Sequence, residues 1–165
     1  MSLPITPTYQ PMEALPATKL PVGPEWQYEP KWDGFRCVVF RDHDRIELMS
    51  KSAKPLTRYF SELAAELSTL KAKQFVLDGE IVIPQDGGLS FDAMLMRIHP
   101  AASRIKKLSE TTPSTLIVFD LLVDDHGQSL VDLPLEARRR KLESEKPKLV
   151  IEVYRGDKHV QESFR

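Results

Sequence analysis

The chain has 165 residues, 41% hydrophobic and 28% charged, enough apolar material for one packed domain and a balance that excludes wholesale disorder or a fibrous architecture. A formal net charge of -1 excludes any global attraction for nucleic acid, so such a partner has to be held by a local patch. No run approaches the ~18 apolar residues of a membrane span, no signal-peptide pattern opens the sequence, and the single cysteine, Cys37, permits neither an intrachain disulfide nor a zinc site; a cytoplasmic, reducing setting is expected.

In chain order, Pro4, Pro7, Pro11, Pro16, Pro21, Pro24 and Pro30 fix extended or turn backbone and interrupt any helix, so residues 1–24 read as a proline-rich extended arm on the surface and residues 25–165 as the domain proper. "FRCVVF" and "RIELMS", separated by the turn-like "RDHD", predict a hairpin over Phe35–Ser50. "TRYFSELAAELSTL" predicts an amphipathic helix that buries Phe60, Leu63, Ala64 and Leu67, with Glu62 and Glu66 on its other side. "FVLDGEIVIP" alternates: Phe75, Leu77, Ile81 and Ile83 share one face of a strand, and Val76, Asp78, Glu80 and Val82 share the other.

"LSFDAMLMRIHP" predicts a helix capped by Ser90, burying Phe91, Met94, Leu95 and Ile98 and ended by Pro100. "LIVFDLLV" has the continuous apolar character of a strand covered on both faces, with Phe119 and Asp120 pointing to opposite sides. A helix begins at Pro134, with "RRRK" at 138–141 on its solvent face, and "LVIEVY" predicts a last strand. Strands with helices between hairpin-like pairs, rather than in strict alternation, favour an α+β domain over a doubly wound parallel sheet.

No G-x-x-x-x-G-K-[ST] loop and no G-x-G-x-x-G turn occurs, so any nucleotide has to be held by side chains. "EPKWDGFR" at 29–36 concentrates the candidates. Lys31 and Asp33 are two apart, which on extended backbone puts them on one side, and flexible Gly34 could bring Arg36 to the same face. A free lysine amine is almost wholly protonated at neutral pH. Desolvation by Trp32, or positive charge from Arg36 or a metal, would make Lys31 a nucleophile. On spacing alone the same pair also reads as a solvated surface ion pair worth about 0 to 1 kcal/mol. Asp78 and Glu80 interrupt an apolar face and imply partners, or else a strand irregularity with solvated carboxylates. His99 and Cys37 read as capping or packed residues.

"KWDGFR", "LDGEIV" about fifty residues on and "VFDLL" a further forty on together resemble the ordered motifs of ATP-dependent DNA ligases, a branch of the covalent nucleotidyltransferases that includes RNA ligases and mRNA capping enzymes. The strings "YEPKWDGFR", "KPLTRYFSEL" and "RIHPAASR" resemble especially the small bacterial ligases without a large N-terminal DNA-binding domain. The resemblance implies an ATP-grasp-like adenylation domain of antiparallel sheets with packed helices. It implies that Lys31 attacks the α-phosphate of ATP and carries AMP, that Glu29 recognises the adenine amine, that Arg36 lies near ribose and phosphates, that Glu80 contacts ribose or a metal, and that Phe119 stacks on adenine.

Lys51 falls where an "SRN"-like string carries an arginine; here the string reads "SKS", a point charge without the bidentate fork. Lys51, Lys54 and Arg58 are candidates for a phosphate-binding edge, or for a solvated face. ATP and Mg2+ are the implied cofactors, and nicked double-stranded DNA the implied partner, alongside repair proteins. Later family motifs (an "EG-hydrophobic-V-x-K" string, a "K-x-K" string) and an OB-fold domain are not found before Arg165, so the sequence reads as a truncated adenylation domain. The competing expectations are a catalytically incomplete nucleotide- or DNA-binding module, or an RNA ligase or capping activity.

Overall fold

The computed structural model describes residues 2–144 apart from 14, 15, 25, 27 and 86; the strand expected at 149–154 lies outside the described residues. Chain order is β1 (Phe35–Asp42), β2 (Arg45–Ser50), α1 (Ser61–Ser68), β3 (Gln74–Val82), β4 (Pro84–Gln85), β5 (Gly88–Leu89), α2 (Phe91–Arg97), α3 (Ala102–Thr111), β6 (Thr115–Val123) and α4 (Leu135–Ser144). The four long strands form one antiparallel sheet in the order β2-β1-β3-β6, and β4 and β5 make a separate small hairpin. This is the expected α+β architecture.

The β1–β2 hairpin closes through His43 and Asp44, with His43 at φ 60°, a left-handed conformation for which histidine is among the more tolerant residues. Along β1 and β3 the two-residue period sorts side chains between two clusters. Cys37, Val39, Leu77 and Ile81 point into the larger core, where they meet Phe60, Leu63 and Leu67 from the α1 segment and Met94 from α2. Val38, Phe40 and Val76 point the other way, with Leu122 and Val123. There the N-terminal arm lies against the sheet through buried Leu3 and partly buried Ile5 and Tyr9. Within the larger core, burial pushes the Cys37 thiol well above its usual range.

Buried arginines brace the helices. Arg41, on the core side of β1, donates to the carbonyls of Leu67, Ser68 and Leu70, supplying the cation that the last turn of α1 lacks. Arg97, fully buried, donates to Tyr59 O at 2.7 Å, Glu62 Oε1 at 2.5 Å and Thr112 O at 3.3 Å.

That arrangement corrects two expectations. Glu62 does not face solvent opposite the core but turns in to accept from Arg97 and from Ser114 Oγ. In α2, Met94 and Arg97 are the buried residues, while Phe91, Leu95 and Ile98 are exposed, because the helix seats its arginine against two carbonyls and a carboxylate instead of its apolar stripe. Ser90 caps α2 as expected, accepting from the Ala93 amide. The helix α3 was not expected; His99 Nδ1 accepts the Ala101 amide just before it.

Candidate active site

The site grows from the face of β1 and β3 that carries Arg36, Asp78 and Glu80. Arg36 stands opposite Glu80 in the ladder, and Val38 opposite Asp78, so the Arg36 side chain reaches its diagonal neighbour, Asp78. The contact is bidentate: Nε donates to Oδ1 and Nη2 to Oδ2, both at 2.6 Å. The guanidinium also lies 4.6 Å from the centroid of the Phe119 ring, close enough for a cation–π contact, and Nη2 donates to Met12 O at 3.3 Å. Burial disfavours charge on Arg36, but the hydrogen bonds and charge of Asp78, with Glu80 behind, more than offset it and hold the guanidinium charged.

Phe119 enters the cleft because β6 is irregular there. Val118 pairs with Gly79 and Asp120 with Asp78, so Phe119 is the extra residue of a β-bulge, which breaks the two-residue alternation. Phe119 and Asp120 therefore line the same cleft, correcting the expectation that they point to opposite sides. Gly79 is required at this bulge: a Cβ there would sit 2.4 Å from Ile117 O.

Gly34 works similarly. Its φ is not among the positive values; instead, a Cβ would lie 2.1 Å from Ile81 O and 2.9 Å from Glu80 Cγ. Close approach to β3, rather than unusual backbone freedom, is what the sequence spends a glycine on. The approach sets the Lys31–Asp33 segment beside Glu80. Burial pushes the Glu80 carboxyl up to about 7, with Asp78 adding to the effect and Arg36, the Gly34 amide and Lys31 opposing it.

Two adjoining cavities open on this face. The larger, about 580 Å³, is lined by Glu29, Trp32, Arg36, Glu80 and Phe119 together with Tyr9, Asp78, Asp120, Arg138 and Arg139. The smaller, about 460 Å³, is lined by Lys31, Asp33, Gly34, Lys51 and Phe91, and shares Trp32, Arg36 and Glu80 with the larger. The six candidates from the sequence thus gather on one cleft, with Arg36 and Glu80 lining both chambers.

The amine of Lys31 is not desolvated as expected. Its side chain is 89% exposed and ion-paired with Asp33 at 3.4 Å, because Trp32 points into the cavities and leaves the lysine at their rim. Lys51 pairs with Glu13 at 3.4 Å. Lys54 and Arg58 line neither cavity; Arg58 donates instead to Pro100 O at 2.9 Å.

Helix α4 supplies what the sequence reading missed. Arg138 and Arg139 are buried and face the cleft rather than solvent. Arg138 grips Asp120 through Nε–Oδ1 at 2.8 Å and Nη2–Oδ2 at 2.6 Å. Arg139 donates from Nε to Phe119 O at 2.9 Å and from Nη2 to Glu29 Oε1. The signal was present as arginines three and four residues after Leu135, on the side of the helix that also carries Leu142. Recognising it needed the carboxylates of Asp120 and Glu29, distant in the sequence.

The cleft offers a guanidinium, an aromatic ring and a carboxyl that titrates near neutrality, with two lysines at its mouth. No group of three or more His, Cys, Asp and Glu that could hold a metal is found among the described residues, and Asp78 is committed to Arg36. A hydrated magnesium held by one carboxylate and substrate phosphates needs no such cage, and Glu80 fits that mode. No helix among the described residues is long and apolar enough to cross a membrane.

Comparison with known proteins identifies the class of domain with this fold. The profile of the ATP dependent DNA ligase domain matches residues 11–155, and the chain belongs to that family. It is 49% identical over 122 residues to DNA ligase C of Mycobacterium tuberculosis, covering 74% of this chain and 34% of that protein. It is 45% identical over 147 residues to DNA ligase C2 of Mycolicibacterium smegmatis, covering 87% and 40%. Among solved structures, the ligase domain of M. tuberculosis LigD superposes with a TM-score of 0.56 at 29% identity, over 74% of this chain and 38% of that one. A mycobacterial DNA ligase D complexed with ATP and MES gives 0.55 at 29% identity, with the same coverage. The chain spans well under half the length of each of these relatives.

Proposed function

We propose that this chain is the nucleotide-binding part of an ATP-dependent DNA ligase of the bacterial cytoplasm, sealing nicks in DNA repair or recombination through a lysyl-AMP intermediate. The observation that carries the reading is the double chamber: Glu29 and Phe119 line one part, Lys31 and Lys51 the other, and Arg36 and Glu80 line both. A nucleotide has this bipartite character, with a flat base that suits an aromatic ring and a carboxylate, and phosphates that suit lysines and a guanidinium.

In the first step the Lys31 ammonium gives up a proton to solvent, and the freed Nζ lone pair attacks the α-phosphorus of ATP. The N–P bond forms, the bond to pyrophosphate breaks, and a second amine proton passes to solvent. A 5′-phosphate oxygen at a DNA nick then attacks the same phosphorus and releases the amine, which takes up a proton; the neighbouring 3′-hydroxyl attacks the 5′-phosphorus, forming the phosphodiester as the anhydride bond to AMP breaks and the hydroxyl proton passes to solvent. Arg36, kept charged by Asp78, steadies the phosphates, and Phe119 and Glu29 seat the base. Magnesium, when bound, offsets phosphate charge, and Glu80 is the residue that would hold it.

The exposure of Lys31 favours a second reading, a nucleotide- or DNA-binding module without catalysis of its own. Offering nicked DNA, nicked RNA and GTP side by side separates the possibilities. Sealing of nicked DNA with ATP supports the ligase; sealing of RNA alone, transfer of GMP, or binding without any covalent product overturns it.

A further inference from the structure

Arg139 touches both residues assigned to the base. Its side chain is 9% exposed, and a guanidinium so buried has to be satisfied by acceptors. One is the carbonyl of Phe119 at 2.9 Å. As the extra residue of the bulge, Phe119 has no partner in the β3 ladder, and a bulge carbonyl without a strand partner needs a donor from elsewhere. The other acceptor is Glu29 Oε1. Residues 28–34 form no helix or strand, so this contact is what ties the Glu29 carboxylate to the cleft wall.

We propose that Arg139 is a positioning residue for purine selectivity: one guanidinium fixes both the bulge that presents Phe119 and an acceptor-only carboxylate at Glu29. The inference rests on the nucleotide reading of the cleft. With Oε1 taken by Arg139, the remaining carboxylate oxygen can only accept. A purine with an exocyclic amine at that position donates to it. A purine with a carbonyl there sets two acceptors against each other, which costs the desolvation of both. ATP is therefore preferred over GTP.

Both tryptophans of the chain, Trp26 and Trp32, line the larger cavity, so intrinsic fluorescence reports nucleotide binding without any need for turnover. Wild type, Arg139→Met and Arg139→Lys are titrated with ATP and with GTP, and again in a Glu29→Gln background. Arg139→Met is expected to weaken ATP about tenfold more than GTP, the scale of one charge-assisted hydrogen bond, because the loosened Phe119 bulge affects both purines and the loosened Glu29 only ATP. Arg139→Lys, which keeps the charge but not the fork, recovers part of the loss. In the Glu29→Gln background, Arg139→Met adds little to the loss of selectivity, whereas a purely structural role lowers both nucleotides alike in either background. A folded Arg139→Met chain with wild-type ATP-over-GTP preference overturns the inference alone. A wild-type chain that binds neither nucleotide overturns the nucleotide reading with it. Should Arg139→Met fail to fold, Arg139→Lys decides: selectivity equal to wild type overturns the proposal, and reduced selectivity supports it.

Discussion

Arg36 and Asp78 meet through two hydrogen bonds of 2.6 Å, and the same guanidinium lies over the Phe119 ring. The side chain of Asp78 is 3% exposed, so the pair is strongly directional and poorly replaceable. One carboxylate on the middle of β3 sets the orientation of a cation at the junction of both cavities.

Removing that carboxylate's charge should be costly. Asp78→Asn leaves Arg36 half-paired over an aromatic ring, and breaking a buried pair from one side typically costs about 3 kcal/mol. Urea denaturation of Asp78→Asn against wild type checks this. An exposed pair such as Lys51–Glu13 serves as the control, since Lys51→Ala should shift stability by less than about 0.5 kcal/mol.

Glu80 makes stability depend on pH in a defined window. Its folded-state pKa is raised from 4.5 to about 7, so the folded state holds its proton more tightly than the unfolded chain. The resulting contribution is fully present below about 4.5 and is lost as pH rises through about 7. Discounted for the partial exposure of the group, the change is about 1 to 2 kcal/mol. Denaturation midpoints measured from pH 4.5 to 8 should fall across this window in the wild type and fall less in Glu80→Gln.

Gly34→Ala tests the close approach of the Lys31 segment to β3. The added methyl would lie 2.1 Å from Ile81 O, and backbone cannot yield as a flexible side chain does. Destabilisation of about 1 to 3 kcal/mol is expected, with chemical shifts of residues 31–36 and 80–81 displaced in NMR spectra. A variant as stable as wild type, with unmoved shifts, would show that glycine is not required there.

How much of this was legible in the sequence depended on the period of each segment. The Phe35–Ser50 hairpin was readable from two strand-like runs around the turn-like "RDHD", and the two faces of β3 from strict alternation, which also put Asp78 and Glu80 on one side; the register of β1 on β3 is what adds Arg36 to them. The helix α3 was not readable as a core element: of its ten residues Ile105 alone is buried, set among Arg104, Lys106 and Lys107. The bulge at Phe119 left no trace because the residues around it are apolar on both faces. Arg97, Arg138 and Arg139 were hidden for a different reason. Their burial is made possible by Glu62, Asp120, Glu29 and main-chain carbonyls far away in sequence, and no local pattern announces such partners.

The most direct measurement is covalent labelling with ATP carrying its label on the α-phosphorus, in the presence of magnesium, followed by peptide mapping. Acid-labile AMP on the peptide that contains Lys31, lost in Lys31→Ala, is the predicted result. Absence of label from the wild-type chain, or label that persists in Lys31→Ala, would contradict the assignment of the nucleophile.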